Sequence, residues 1–139
     1  MKLPRDNYRL TEVFKTAGIP SIYEFEGEYV VDMLTVLPSL RKFRHRKVFY
    51  TKNSRVLGYN IIFNQKIWGH FFVEEGICPS LGLGKAAVIN YDRAQNSSLT
   101  NKIRDYIRRL DKATFLGRFM YLVLGRQYFL GYFSLSKVM

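Results

Sequence analysis

Lys47-Val48-Phe49-Tyr50-Thr51, Arg55-Val56-Leu57-Gly58-Tyr59-Asn60-Ile61-Ile62-Phe63 and Lys66-Ile67-Trp68-Gly69-His70-Phe71-Phe72-Val73-Glu74 are three runs rich in β-branched and aromatic residues. Only Lys52-Asn53-Ser54 and Asn64-Gln65 part them, which is short turn chemistry, so the stretch predicts a meander of three antiparallel strands. Gly58 and Gly69 inside strands mark bends, bulges or close backbone approach, as a curled sheet requires.

Before the meander, Tyr23, Phe25, Gly27 and Tyr29 alternate with Glu24, Glu26 and Glu28, the period of a half-solvated strand. That strand is expected to run from Ser21 through Leu37 and to stop at Pro38. Thr11 to Thr16 reads as a short helix closed by Gly18 and Pro20. After the meander, residues 75–84 form a loop broken by Gly76, Pro79, Gly82 and Gly84, and Ala86 to Tyr91 is a short strand. Ile103, Ile107 and Leu110 then stand at i, i+4 and i+7 with Arg104, Asp105, Arg108 and Arg109 between them, which predicts one amphipathic helix. Phe115–Leu124 and Gln127–Lys137 make a closing hairpin around Gly125-Arg126. The fold expected is mainly β: an antiparallel up-and-down barrel or strongly curled sheet of about seven strands. It carries a short N-terminal helix and one amphipathic helix before the last two strands. Closure into a barrel hides an aromatic face that an open sheet would leave wet, and it removes sheet edges.

The 139 residues carry no internal repeat or linker, so residues 1–139 are read as a single domain. With 47% hydrophobic, 16% aromatic and 24% charged residues, composition excludes a disordered, collagenous or coiled-coil chain. No apolar run approaches the ~18 to 20 residues of a spanning helix. Met1-Lys2-Leu3-Pro4-Arg5-Asp6 has no apolar signal region, and the single Cys78 suits a reducing compartment, so a cytoplasmic location is expected.

The net charge of +11 is uneven: residues 1–37 hold 4 basic and 6 acidic side chains, residues 38–73 hold 8 basic and none acidic. Arg41, Lys42, Arg44, Arg46 and Lys47 surround Phe43 and His45 in the densest stretch. Such a field attracts polyanions, whether nucleic acid or an anionic membrane surface; a solvated strand edge is the plainer reading.

Catalytic motifs are absent. Gly82-Leu83-Gly84-Lys85 lacks the earlier glycine and following hydroxyl residue of a phosphate loop, where Pro79 and Ala86 stand. Cys78, His45 and His70 are too few and scattered for a structural zinc site, so neither a metal nor a cofactor is expected. Asp92, Arg104, Asp105 and Arg108 read as an ion-pair network bracing the helix at the barrel mouth. Trp68, His70 and Phe72 share one face of a regular strand, and Asn60 shares a face of its neighbour with Ile62. If that face looks inward it offers an aromatic wall with few polar groups, the usual small-molecule site. Asn60, Trp68, His70, Tyr121 and Tyr132 are the wall candidates, with Arg118 as partner for an anionic head group.

Gly27-Glu28-Tyr29 stands in the first strand, where lipocalins carry a glycine followed shortly by a tryptophan. With the meander and the late helix, it resembles the calycin-type small barrels. The stretches Ile103-Arg104-Asp105-Tyr106-Ile107-Arg108, Phe115-Leu116-Gly117-Arg118 and Phe129-Leu130-Gly131-Tyr132-Phe133 resemble the last third of uncharacterised bacterial lipocalin-like domains. The resemblance implies an apolar-ligand pocket and no chemistry. The function expected is non-catalytic binding of a small hydrophobic ligand, an acidic one among the options, by a monomer or homodimer. The alternatives are single-stranded nucleic-acid binding through residues 41–50, and a small lyase or isomerase using the same cavity with His70 or Asp92 as acid or base.

Overall fold

The computed structural model describes residues 2–36, 45–62, 65–80 and 82–139. Eight antiparallel strands close on one another in sequence order: β1 (Gly27–Met33), β2 (His45–Lys52), β3 (Arg55–Ile62), β4 (Lys66–Ile77), β5 (Lys85–Asn90), β6 (Ile103–Asp111), β7 (Thr114–Val123) and β8 (Arg126–Lys137). β1 pairs with β8 through Val31↔Leu135 and its neighbours, so the expected barrel is complete, with eight strands in place of about seven.

Ile103–Asp111 is a strand, and the expected amphipathic helix does not form. Only a single 3-10 turn, Thr100–Lys102, precedes it. Ile103, Asp105 and Ile107 face the barrel interior while Tyr106 and Arg108 pack on the outside. A carboxylate at an interior position and an arginine buried outside erase the period of two from the sequence. The spacing left visible is that of the isoleucines, which also fits a helix. The strand expected from Ser21 begins later, because Ser21 opens a capping box with Glu24 and turns Ile22–Phe25 into a 3-10 helix.

That turn sets the polarity of the barrel. Phe25 enters one end and is completely buried, 5.3 Å from the Phe49 ring and 4.7 Å from the Phe115 ring. Tyr29 meets both of these rings edge-on, filling the same end. At the opposite end, where β7 turns into β8, no such plug stands among the described residues.

A second apolar cluster lies outside. α1 (Asn7–Thr16), capped by Asp6 accepting from the Arg9 N–H at 2.9 Å, buries Leu10 and Phe14. They pack with Val88, Tyr106, Leu116, Met120 and Tyr132, the outer faces of β5 to β8. Arg108 fastens the helix: its guanidinium donates to the carbonyls of Phe14 (3.0 Å), Lys15 (3.3 Å), Lys85 (2.8 Å) and Leu83. This charge therefore sits at a helix C-terminus, where the free carbonyls favour a cation.

Phe25→Ala is expected to destabilise the barrel by about 3–5 kcal/mol in urea unfolding, because it empties a closed, rigid end. Arg108→Ala is expected to raise amide exchange across Asn7–Thr16 while the β-ladder stays protected. Equal deprotection of helix and barrel would show that α1 is part of one cooperative unit.

Candidate functional site

Alternation along β2 sends His45, Lys47 and Phe49 inward, and Arg46 and Tyr50 outward. Lys47 thus leaves the basic surface run altogether: its side chain is 4% exposed and lies inside the barrel. Its ammonium donates to Asn60 Oδ1 at 2.8 Å and to the Tyr91 hydroxyl at 2.6 Å. The rings of Phe71, Tyr91 and Phe133 surround it at 5.6, 5.3 and 5.7 Å, an aromatic box that favours a cation. The counter-charge is Asp105 on β6, whose Oδ2 stands 3.8 Å from Lys47 Nζ. That is an ion pair beyond hydrogen-bond length.

Asn60 is completely buried and completes the cluster by donating from Nδ2 to the Tyr91 hydroxyl at 3.0 Å and to the Gly69 carbonyl at 3.4 Å. Gly69 makes this contact available. It has φ +68°, and a Cβ there would lie 3.1 Å from the Tyr91 ring and 3.2 Å from Asn60 Nδ2. The ladder slips at this point, so Trp68 pairs with Asn60 while His70 pairs with Tyr59.

Above the cluster, toward the end opposite Phe25, lies a cavity of about 290 Å³. Its walls are Val31, Met33, Ile62, Trp68, Ile103, Phe119 and Phe133, and its polar groups are His45, Lys47, Tyr91 and Asp105. Burial raises the pKa of Asp105 and lowers that of Lys47, each shift partly offset by the other's charge. Burial, with the Asp105 charge second, holds the Tyr91 phenol well above its ordinary range, so it is a neutral donor at any physiological pH.

The expected wall candidates separate into two groups. Trp68 lines the cavity, and Asn60 holds the cluster behind it. His70 does not share the Trp68 face, because the bulge at Gly69 reverses the alternation. Its backbone is clamped by Asn96 at 2.8 and 2.7 Å and its ring lies beside Tyr59. Arg118 and Tyr132 lie on the outer surface under α1. The guanidinium donates to the Tyr132 hydroxyl at 2.5 Å and to Ser80 Oγ at 2.9 Å, and it stacks 4.0 Å from the Phe129 ring centre. Tyr121 sits near the open end, its hydroxyl donating to the Leu99 carbonyl at 2.8 Å.

Of the basic run, Arg41, Lys42 and Arg44 lie outside the described residues, Arg46 pairs with Glu28 at 3.1 Å, and Lys47 and Phe49 are internal. The expected ion-pair network at 92–108 is replaced as well. Asp105 turns inward, Arg108 clamps α1, Arg104 donates to the carbonyls of Asn101 and Ile103, and Asp92 is exposed. Sequence reading missed Lys47, Tyr91 and Asp105 as cavity groups; the signal for Lys47 was its two-residue spacing from the inward Phe49.

Replacing Lys47 by Met alone strands a buried carboxylate and is expected to cost about 3–5 kcal/mol in urea unfolding. The double replacement Lys47→Met with Asp105→Leu is expected to be neutral or more stable than wild type by up to about 4 kcal/mol. The pH dependence carries the opposite signs of the two shifts. Asp105 binds its proton more tightly folded than unfolded, so its contribution is lost as pH rises from the ordinary carboxylate range to its raised value. Lys47 binds its proton less tightly folded, so stability returns as pH climbs from its lowered value to the ordinary amine range. Wild type minus double variant should show a trough near neutrality; a flat difference would mean that burial does not perturb the pair.

No family model matches the chain, and none of the curated proteins does. Among solved structures it is similar to a protein from Thermomonospora curvata, with a TM-score of 0.65 and 15% sequence identity, covering 96% of this chain and 88% of that one. At that identity the likeness shows the barrel fold alone. No helix among the described residues is long and apolar enough to cross a membrane.

Proposed function

We propose that the chain is a calycin-type carrier that binds a small, mostly apolar molecule in the barrel cavity without transforming it. The observation that carries this reading is the pocket of about 290 Å³ inside a barrel that Phe25 plugs at one end and that no described residue plugs at the other. At protein-interior packing density it has room for roughly a dozen non-hydrogen atoms. Its walls are mostly apolar, with a few polar groups among them, the usual build of a small-molecule site. Trp68, 42% exposed, stands at the rim between cavity and solvent. Binding in this reading is sequestration, driven by removal of the ligand's apolar surface from water.

Native mass spectrometry of freshly purified protein, followed by denaturation and extraction, tests the carrier role. A small apolar molecule retained by the folded protein and released on unfolding is the expected result. Protein that carries nothing and leaves the fluorescence of its single tryptophan unchanged with every apolar probe would overturn it. Co-purified oligonucleotide that washes off in high salt would instead favour the basic run.

A further inference from the structure

Asp105, Tyr91 and Lys47, on the cavity's polar side, each keep hydrogen-bonding capacity that the cluster does not use. Asp105 is 3% exposed and lines the cavity, and its carboxylate is held only by the Lys47 ammonium among the described residues, at 3.8 Å, longer than a good direct hydrogen bond. A buried carboxylate without a close donor is expensive, so a group that supplies one gains binding energy there. The Tyr91 oxygen already accepts from Lys47 and Asn60, and its own proton meets no acceptor among the described residues. Lys47 spends two of its three protons on Asn60 and Tyr91. The site therefore presents a free acceptor beside free donors, and the Lys47–Asp105 pair is electrically balanced.

We propose that the cavity selects an uncharged, hydroxyl-bearing ligand, an alcohol or phenol whose O–H donates to Asp105 and whose oxygen accepts from Tyr91 or Lys47. This rests on the carrier reading above and names the head group that the pocket takes. A carboxylate head group is disfavoured, because it would face the Asp105 charge while the Lys47 ammonium is already balanced by that charge. An ether of equal size fits the apolar walls but leaves Asp105 without a close donor. Rejection of a ligand that lacks a matching hydrogen-bonding group is where polar pockets discriminate most strongly.

Trp68 is the single tryptophan and lines the cavity, so its fluorescence reports occupancy directly. Three probes of matched length are titrated at pH 7.5 into the full chain: 1-decanol, its isomer methyl nonyl ether, and decanoate. The expected result is 1-decanol binding at least tenfold tighter than either of the others. In Asp105→Asn the order should invert, because the amide no longer repels decanoate, whose carboxylate takes the place of Asp105 as the counter-charge that keeps Lys47 protonated. Asp105→Glu keeps the carboxylate and should keep the alcohol preference, which guards against misreading a folding defect in the amide variant. Thermal melts of both variants accompany the titrations. Equal affinity for alcohol and ether, or tighter binding of decanoate to the wild-type chain, overturns the head-group assignment and leaves the carrier reading intact. Failure of all three probes to bind the folded wild-type chain overturns both.

Discussion

A lysine ammonium inside an apolar barrel is the constraint around which the rest of this interior is arranged. Taking such a charge out of water costs several kcal/mol even after relaxation, and it is tolerated only with a counter-charge and hydrogen bonds. Each answer to that demand comes from a different strand or its end. Asp105 on β6 supplies the charge, Asn60 on β3 the acceptor, Tyr91 after β5 the hydroxyl, and Phe71, Tyr91 and Phe133 the ring faces. Because the partners come from around the barrel wall, the cluster exists only when the sheet is closed in the right register. A one-residue slip in β2 would carry Lys47 to the outer face and leave Asp105 buried alone. The pair is thus a costly device for stability and an effective one for specifying register, a role in which buried polar groups are best attested.

The two ends of the barrel show why a cavity persists. At the plugged end Phe25, Phe49, Phe115 and Tyr29 interlock as rings, the dense filling expected of a protein interior. At the other end the same solution is barred. An apolar side chain packed onto Lys47 and Asp105 would remove their remaining access to water or ligand without offering a hydrogen bond. The cavity there is lined by Val31, Met33, Ile62 and Ile103, of moderate size, together with the rings of Trp68, Phe119 and Phe133.

Much of the architecture is legible in the sequence, and the failures have a common cause. The meander at 47–74 reads directly because most of its inward positions, Phe49, Val56, Phe71 and Val73, are apolar and Gly58 is small, so that Lys47 and Asn60 do not hide its strands. The closing hairpin reads for the same reason. Reading fails where a polar side chain stands at an interior position. Asp105 between Ile103 and Ile107 turns a strand into an apparent helix, and Lys47 beside Arg46 passes for part of a surface charge run. The bulge at Gly69 hides in a different way. It changes which residues are inward by one, so Trp68 lines the cavity while the His70 ring lies beside Tyr59. Strand alternation makes Tyr132 a wall candidate with Arg118 as its anion partner, because nothing in the sequence shows that α1 makes a second core on the outside.

These misreadings fall where the cavity's chemistry is. A sequence specifies its fold most plainly where local propensity, burial pattern and packing agree, and they disagree where a position answers to something besides folding. Lys47 and Asp105 break the inward pattern of two strands, the break is compensated by their pairing across the barrel, and the compensation is incomplete. The Asp105 carboxylate has a counter-charge but no hydrogen-bond donor closer than 3.8 Å, and the Tyr91 proton has no acceptor among the described residues. Were the pair there only to fix register, a carboxylate within direct hydrogen-bonding distance of the lysine would serve better, and nothing would require it to line a pocket. A gap of 3.8 Å beside unused hydrogen-bonding groups is the space that the proposed hydroxyl head group would fill.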